Sequence, residues 1–255
     1  MKCTIPSAKA FYKLLNFIAQ FETNVKITCK QAGMSIFCMS MCHSVFIDAK
    51  LDPSYCNGEY QCDDEEDICV NLTVLLAALK TGGPKDQLKI CSTQDTISID
   101  IVSDDQVTNY TIKQVTIDDE TMQVPEIEED VCINIHPSFF KTWKKKVIDF
   151  TKASVTFTPT KTNLELKSED TTQGAVKVTQ LVPSIGIEYE TFNGAKPITL
   201  GNKNIDKAFN IGDVSDQIQL GWKNGMPIRF GAKLTDYCSL KVYLAPMAND
   251  EMDED

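Results

Sequence analysis

Between Ile117 and Asp130 the chain reads Ile-Asp-Asp-Glu-Thr-Met-Gln-Val-Pro-Glu-Ile-Glu-Glu-Asp, and no compact element can be built from it. Seven of these fourteen residues are acidic, and like charges so close repel one another and keep a segment extended and solvated. Pro125 blocks both a helix interior and a central strand. The run therefore predicts a tether, 118–130, between a first domain at 1–117 and a second at 131–248. Two apolar residues beside the proline, Met122 and Val124, gain little by staying exposed in such company. They make part of the tether a candidate docking site.

The two flanking segments repeat one order of elements: strand, helix, several strands, short helix, several strands. In the first, residues 1–6 alternate like a short strand, and Ser7 is placed to cap a helix to about Phe21 that buries Phe11, Leu14, Leu15 and Ile18. Alternating strands are expected at Val25–Lys30, Met34–Met39 and Ser44–Leu51, and Cys56–Asp67 reads as a loop with the acids Asp63 to Asp67 in a row. A strand at Ile68–Leu72 leads to a helix over Val74–Lys80, capped by Thr73 and stopped by Gly82-Gly83-Pro84. Strands at Gln87–Ser92, Thr96–Val102 and Val107–Ile117 complete this half. After the tether come a strand at Val131–Ile135 and a helix from Phe139 to about Phe150 with Ser138 as its cap. Strands follow at Ser154–Thr158, Asn163–Lys167, Ala175–Leu181, Gly186–Thr191 and Pro197–Leu200, then a short helix over Asn202–Asn210. Gln217–Lys223, Pro227–Leu234 and Ser239–Leu244 read as the last strands, and the acidic 249–255 as a mobile tail. The halves share a pattern rather than residues, so the repeat is structural.

Charge is divided unevenly between these elements. The whole chain carries −11, which as an average argues against binding nucleic acid. The four helical segments (Ser7–Phe21, Thr73–Lys85, Ser138–Lys152 and Asn202–Asn210) nevertheless carry +9, leaving −20 for everything else. Each amphipathic helix must turn its apolar face to a sheet, which leaves its lysines in solvent. Lys9, Lys13, Lys80, Lys141, Lys145, Lys203 and Lys207 are therefore candidates for one basic surface that meets phosphates without reading bases, in a salt-sensitive way. Lys144–Lys146 also resembles a nuclear-import cluster, but Trp143 and Val147 tie that run to a folded helix, which favours the first reading.

Other chemistries find no support. A content of 42% hydrophobic and 24% charged residues is that of a folded globular protein. No run approaches the length of a membrane span and the start has no apolar signal core, so a soluble intracellular protein is expected. The ten cysteines have irregular spacings with no Cys-x-x-Cys pair, which predicts reduced thiols rather than disulfides or zinc. His43 and His136 are the only histidines, each at a strand end, and no Gly-rich phosphate loop, Gly-x-Ser-x-Gly or His-x-x-x-His occurs. Asp63–Asp67 lacks the spaced ligands and turn glycine of a calcium loop. The expectation is a binding protein with no catalytic residues, no cofactor and no metal.

Several short stretches carry a family resemblance. Val70-Asn71-Leu72-Thr73 precedes a short helix ending in Lys80, and Lys241-Val242-Tyr243-Leu244-Ala245-Pro246 precedes an acidic tail. Pro125-Glu126 lies in an acidic connector, and the segment from Met39 to His43 belongs to the same pattern. With these the chain resembles the sliding clamps of the proliferating cell nuclear antigen family over nearly its full length. The resemblance implies an α+β chain of two similar domains of the DNA clamp fold. Three subunits would close into a ring, basic helices lining the interior around double-stranded DNA and antiparallel sheets outside. It implies a non-enzymatic polymerase processivity factor in the nucleus, or at the replication site of a DNA virus, with no membrane partner. DNA polymerase, clamp loader, flap nuclease and ligase would dock short peptides in a pocket of Met39, His43, Phe46, Val124, Pro125, Pro227, Tyr243, Ala245 and Pro246. Subunits would join through edge strands carrying Tyr110 and Ile112 on one side and Val176 and Val178 on the other. The chain departs from the family at Glu129, where an aromatic residue is usual, and at Phe46, where a smaller aliphatic is usual. The rival readings are a checkpoint-type clamp paralogue in a hetero-trimer, a monomeric processivity factor that grips DNA without closing, and a hydrolase using Asp63–Glu66.

Overall fold

The computed structural model describes residues 1–117 and 128–247. The tether residues Met122, Val124 and Pro125 and the acidic tail 249–255 lie outside the described residues. The chain divides into two compact units, Met1–Val124 with Lys233–Lys241, and Pro125–Ala232 with Val242–Asp255. The sequence reading puts 233–241 wholly in the second half, whereas the structure groups it with the first. One cause is a backbone hydrogen bond: Asp52 N–H donates to the Tyr237 carbonyl at 2.8 Å.

In the first unit the order is β1 (Lys2–Ile5), α1 (Ala8–Ile18), β2 (Asn24–Lys30), β3 (Gly33–Met39), β4 (Val45–Leu51), a 3-10 turn (Pro53–Cys56), β5 (Tyr60–Gln61), β6 (Glu66–Asn71), α2 (Leu72–Leu79), β7 (Gln87–Ser92), β8 (Thr96–Val102) and β9 (Val107–Lys113). One sheet runs β5-β1-β7-β8-β9, and a second run is ordered β4-β3-β2-β6. The pairings within both are antiparallel. The alternation in the sequence appears as alternating burial, clearest in β8, where Ile97, Ile99 and Ile101 are buried between half-buried polar neighbours. Helix α1 buries Phe11, Leu14, Leu15 and Ile18 and lies beside α2, which buries Leu75, Ala78 and Leu79.

In the second unit the order is β10 (Val131–Ile135), α3 (Ser138–Trp143) running on into a π turn (Lys144–Ile148), β11 (Val155–Pro159), β12 (Asn163–Asp170), β13 (Gly174–Leu181), β14 (Ile187–Phe192), β15 (Ile198–Leu200), α4 (Asn202–Ala208) with a 3-10 turn (Phe209–Asp213), and β16 (Gln217–Trp222). A last hairpin, β17 (Ile228–Thr235) and β18 (Cys238–Leu244), closes the chain. One sheet runs β13-β12-β11-β15, and β14-β10-β16-β17 are neighbours in another. The core here is aromatic. Phe140 of α3 meets Trp143 at 5.6 Å, Phe209 at 5.5 Å and Phe230 at 6.2 Å between ring centroids. Edge-to-face packing of this kind adds to what area burial alone supplies.

Two expected helix caps are corrected by the structure. Ser7 caps α1, accepting from the Ala10 N–H at 3.2 Å. On α2, however, the cap is Asn71 rather than Thr73. Its Oδ1 accepts from the N–H groups of Thr73 at 3.0 Å and Val74 at 3.3 Å, and Thr73 lies already inside the first turn. Ser138 does not cap α3, because Pro137 before it is already helical (φ −52°, ψ −30°) and an N-cap needs extended backbone. The Ser138 hydroxyl instead meets His136 Nδ1 at 2.8 Å. The last strand of the first half also ends earlier than expected, at Lys113, and the acidic loop contains β5 and the start of β6. The cap assignment is testable by urea unfolding: Asn71→Ala should cost about 1 kcal/mol, and Thr73→Ala should leave the midpoint nearly unchanged.

Candidate nucleic-acid interface

The lysines of interest fall where the apolar faces put them. On α1, Lys13 is exposed and Lys9 half-buried, its ammonium 4.9 Å from the centre of the Tyr12 ring. At the end of α2, Lys80 is exposed next to the buried Leu79. Lys141 and Lys145 are exposed on either side of the buried Trp143 and Val147. On α4, Lys203 is exposed and Lys207 half-buried beside the buried Ile205.

Three consecutive lysines in the second unit do different things. Lys144 turns to α4: its ammonium meets Asp206 Oδ1 at 2.7 Å, donates to the Asp206 carbonyl at 3.2 Å and to Asn210 Oδ1 at 3.0 Å. With three donors and three acceptors it is satisfied and serves as a strut between two helices. Its neighbours Lys145 and Lys146 are exposed. Lys141 pairs with Asp213 at 2.9 Å, both side chains well exposed. A pair in that setting is weak and easily exchanged for another anion.

The residues expected to receive partner peptides are split between the two units. In the first, Met39 ends β3 directly across from Phe46 on β4. Phe46 packs edge-on against Phe37 at 4.5 Å between centroids. His43 sits in the turn between these strands at φ 53°, its Nδ1 2.8 Å from the Met39 sulfur. The same turn holds Cys42, fully exposed, whose thiol lies 3.4 Å from Ser40 Oγ and 2.8 Å from Ser44 Oγ. Hydrogen bonds from Ser40 and then Ser44 lower its pKa to about 7. In the second unit Pro227 and Tyr243 are half-buried, and Ala245 and Pro246 are exposed. Val124 and Pro125 lie outside the described residues.

Glu129, at the end of the tether, is anchored to the second unit. Glu129 forms a two-pronged ion pair with Arg229 on β17, the Nη2 bond at 2.7 Å. Arg229 is the only arginine in the chain, a signal present in the sequence and missed there. Of the expected subunit-contact residues, Tyr110, Val176 and Val178 are half-buried on β9 and β13, edge strands of their sheets. Ile112 is 6% exposed and belongs to the core of its own unit. Among the described residues no group of three or more His, Cys, Asp or Glu is placed to hold a metal ion.

Two antiparallel α+β units, each with two helices that carry exposed lysines along one side or at their end, define a clamp architecture. The family model "Proliferating cell nuclear antigen, N-terminal domain" matches residues 1–123. Proliferating cell nuclear antigen of Chaetomium thermophilum is 22% identical over 260 residues, spanning 98% of this chain and 99% of that protein. The Caenorhabditis elegans protein of the same name is 23% identical, covering 98% of each. The crystal structure of the Entamoeba histolytica antigen superposes with a TM-score of 0.88 at 20% identity, covering 97% of this chain and 98% of that one. The chain is similar along nearly its whole length to sliding clamps of the proliferating cell nuclear antigen family. It is a DNA sliding clamp, a processivity factor and not an enzyme. The matches do not favour a hetero-trimeric paralogue or a monomeric gripping factor.

The turn at Cys42 yields a chemical expectation. Thiolates alkylate and thiols do not, so the rate at Cys42 should rise as pH passes through about 7. The buried Cys29 and Cys238, pushed up to about 12 by desolvation, should stay unreactive there. Iodoacetamide labelling with peptide mapping checks this, and Cys42→Ser should remove the fast phase.

Proposed function

We propose that three copies of this chain close into a ring around duplex DNA, with the lysine faces of α1, α2, α3 and α4 turned to the phosphates. The observation that carries this reading is the placement of exposed cations opposite the buried faces of α1, α3 and α4, and of exposed Lys80 at the end of α2. Such contacts are individually weak and blind to sequence, so they hold a duplex without fixing its register and leave the ring free to slide. Ring closure joins β9 of one copy to β13 of the next. Both are edge strands, and unpaired edges as long as these are a hazard that pairing removes. Tyr110, Val176 and Val178 supply side chains to that seam, and Ile112 supplies backbone only.

Polymerase, clamp loader, flap nuclease and ligase dock on this reading through short peptides held by Met39, His43, Phe46, Pro227, Tyr243, Ala245 and Pro246. Val124 and Pro125 of the connector join that pocket, and tether carboxylates steer basic flanks toward it. The segment 118–130 acts as the tether between the two clamp domains and 249–255 as a solvated acidic tail. The nucleus is the proposed site of action, with the replication site of a DNA virus as the alternative.

The lysine face is tested by replacing Lys9, Lys13, Lys141 and Lys145 with Ala together. DNA affinity should fall and the plot of log K against log salt should flatten, by about 0.9 for each phosphate that a lysine no longer neutralises. Unfolding should be little changed, because these side chains are exposed or half-buried. An unchanged salt slope would contradict the placement of these helices against DNA.

A further inference from the structure

The Glu129–Arg229 pair is the most deliberately built polar feature of the second unit. Arg229 Nε and Nη2 each donate to one carboxylate oxygen of Glu129, the parallel two-bond geometry that arginine can make and lysine cannot. The chain uses its single arginine for it. The side chains are 13% and 16% exposed, so the pair is largely shielded from water.

Two glycines make the space. A Cβ at Gly221 would collide with the Glu129 carboxylate, and one at Gly231 would collide with the Arg229 guanidinium. The pair continues into a network over neighbouring strands. Arg229 Nη1 reaches Gln219 Oε1 at 3.5 Å, and Gln219 Nε2 donates to Glu190 Oε2 at 2.7 Å. Two carboxylates and one guanidinium leave this network at −1. Glu128, exposed, adds to the negative charge at its edge. Tyr243, in the proposed peptide pocket, lies close enough to Arg229 to act on its charge.

A ring placed on this surface would strip water from both charges and return no hydrogen bond, which is costly. A cationic side chain would find carboxylate lone pairs that a guanidinium occupies only in part. We propose that the Glu129–Arg229 pair determines which peptides this clamp accepts, selecting those that set a lysine or arginine, and not a second aromatic ring, beside their aromatic anchor. This rests on the docking reading given under Proposed function.

The test is fluorescence anisotropy with three labelled peptides that share one aromatic anchor and carry Lys, Phe or Glu next to it. The wild type should bind the Lys peptide about tenfold tighter than the Phe peptide, a difference in the range of a close charge pair, with the Glu peptide weakest. Glu129→Tyr should reverse the order of Lys and Phe. Glu129→Gln keeps an acceptor for Arg229 but loses the charge, and should abolish the Lys preference; it carries the test where Glu129→Tyr does not fold. Solution mass is measured for each variant. Equal affinity of the wild type for the Lys and Phe peptides would overturn the proposal, as would a Lys preference that survives in Glu129→Gln. Pro246→Asp separates the two readings, because it should remove binding of every peptide. Binding that survives Pro246→Asp, or no binding of any peptide to the wild type, removes the docking reading and this proposal with it.

Discussion

Everything recognisable about this chain depends on four helices having to bury one face. Phe11, Leu14 and Leu15 on α1, Leu75 and Leu79 on α2, Phe140 and Trp143 on α3, and Ile205 on α4 are all buried, and none has a stable place in water. Burying a large apolar side chain is worth roughly 1.5–3 kcal/mol, far more than a surface lysine gains from any position. The apolar faces therefore decide how each helix lies, and the lysines take what is left. Because the sequence puts acid in loops and strands and cations on helices, this one constraint sorts charge in space. A chain of net charge −11 thereby presents basic helix faces.

The ion pairs fall into two classes by exposure. Lys30–Glu65, Lys167–Glu169 and Lys141–Asp213 are solvated on both sides, and pairs of that kind contribute little. Lys144 with Asp206 and Asn210 is different because one ammonium is held by three acceptors on a neighbouring helix. It keeps the helices of the second unit in register while Lys145 and Lys203 stay exposed. Glu129–Arg229 is the most shielded of the side-chain pairs described, and removing one partner would leave the other charge buried without compensation. The first class can be remodelled by salt. The second class is part of the architecture.

Most of the fold was legible in sequence because its period is simple. Ile97, Ile99 and Ile101 alternate, and Leu14, Leu15 and Ile18 recur at helical spacing, so β8 and α1 could be placed without coordinates. The lysine faces followed, since a helix with one apolar side has only one solvent side. What failed was local competition between neighbours of like chemistry. Asn71 and Thr73 are both good caps, and only the backbone shows that Asn71 occupies the extended position. Ser138 had the right chemistry after a proline whose backbone had already turned helical. Glu129 read as one more tether acid, because its partner stands 100 residues away and no local pattern reports so distant a pairing. The grouping of 233–241 with the first unit was hidden for the same reason.

The account's central claim is that the protein holds DNA by enclosing it, with its cations only guiding the duplex. The direct measurement is retention on closed circular DNA after loading by a clamp loader, followed by a rise in salt and then a single cut in the circle. Phosphate contacts weaken steeply with salt, whereas a closed ring has no exit from a circle. The prediction is that the protein stays on the circle at high salt and leaves within the sliding time once the DNA is linear. Loss from the intact circle at high salt, or equal retention before and after the cut, would contradict enclosure.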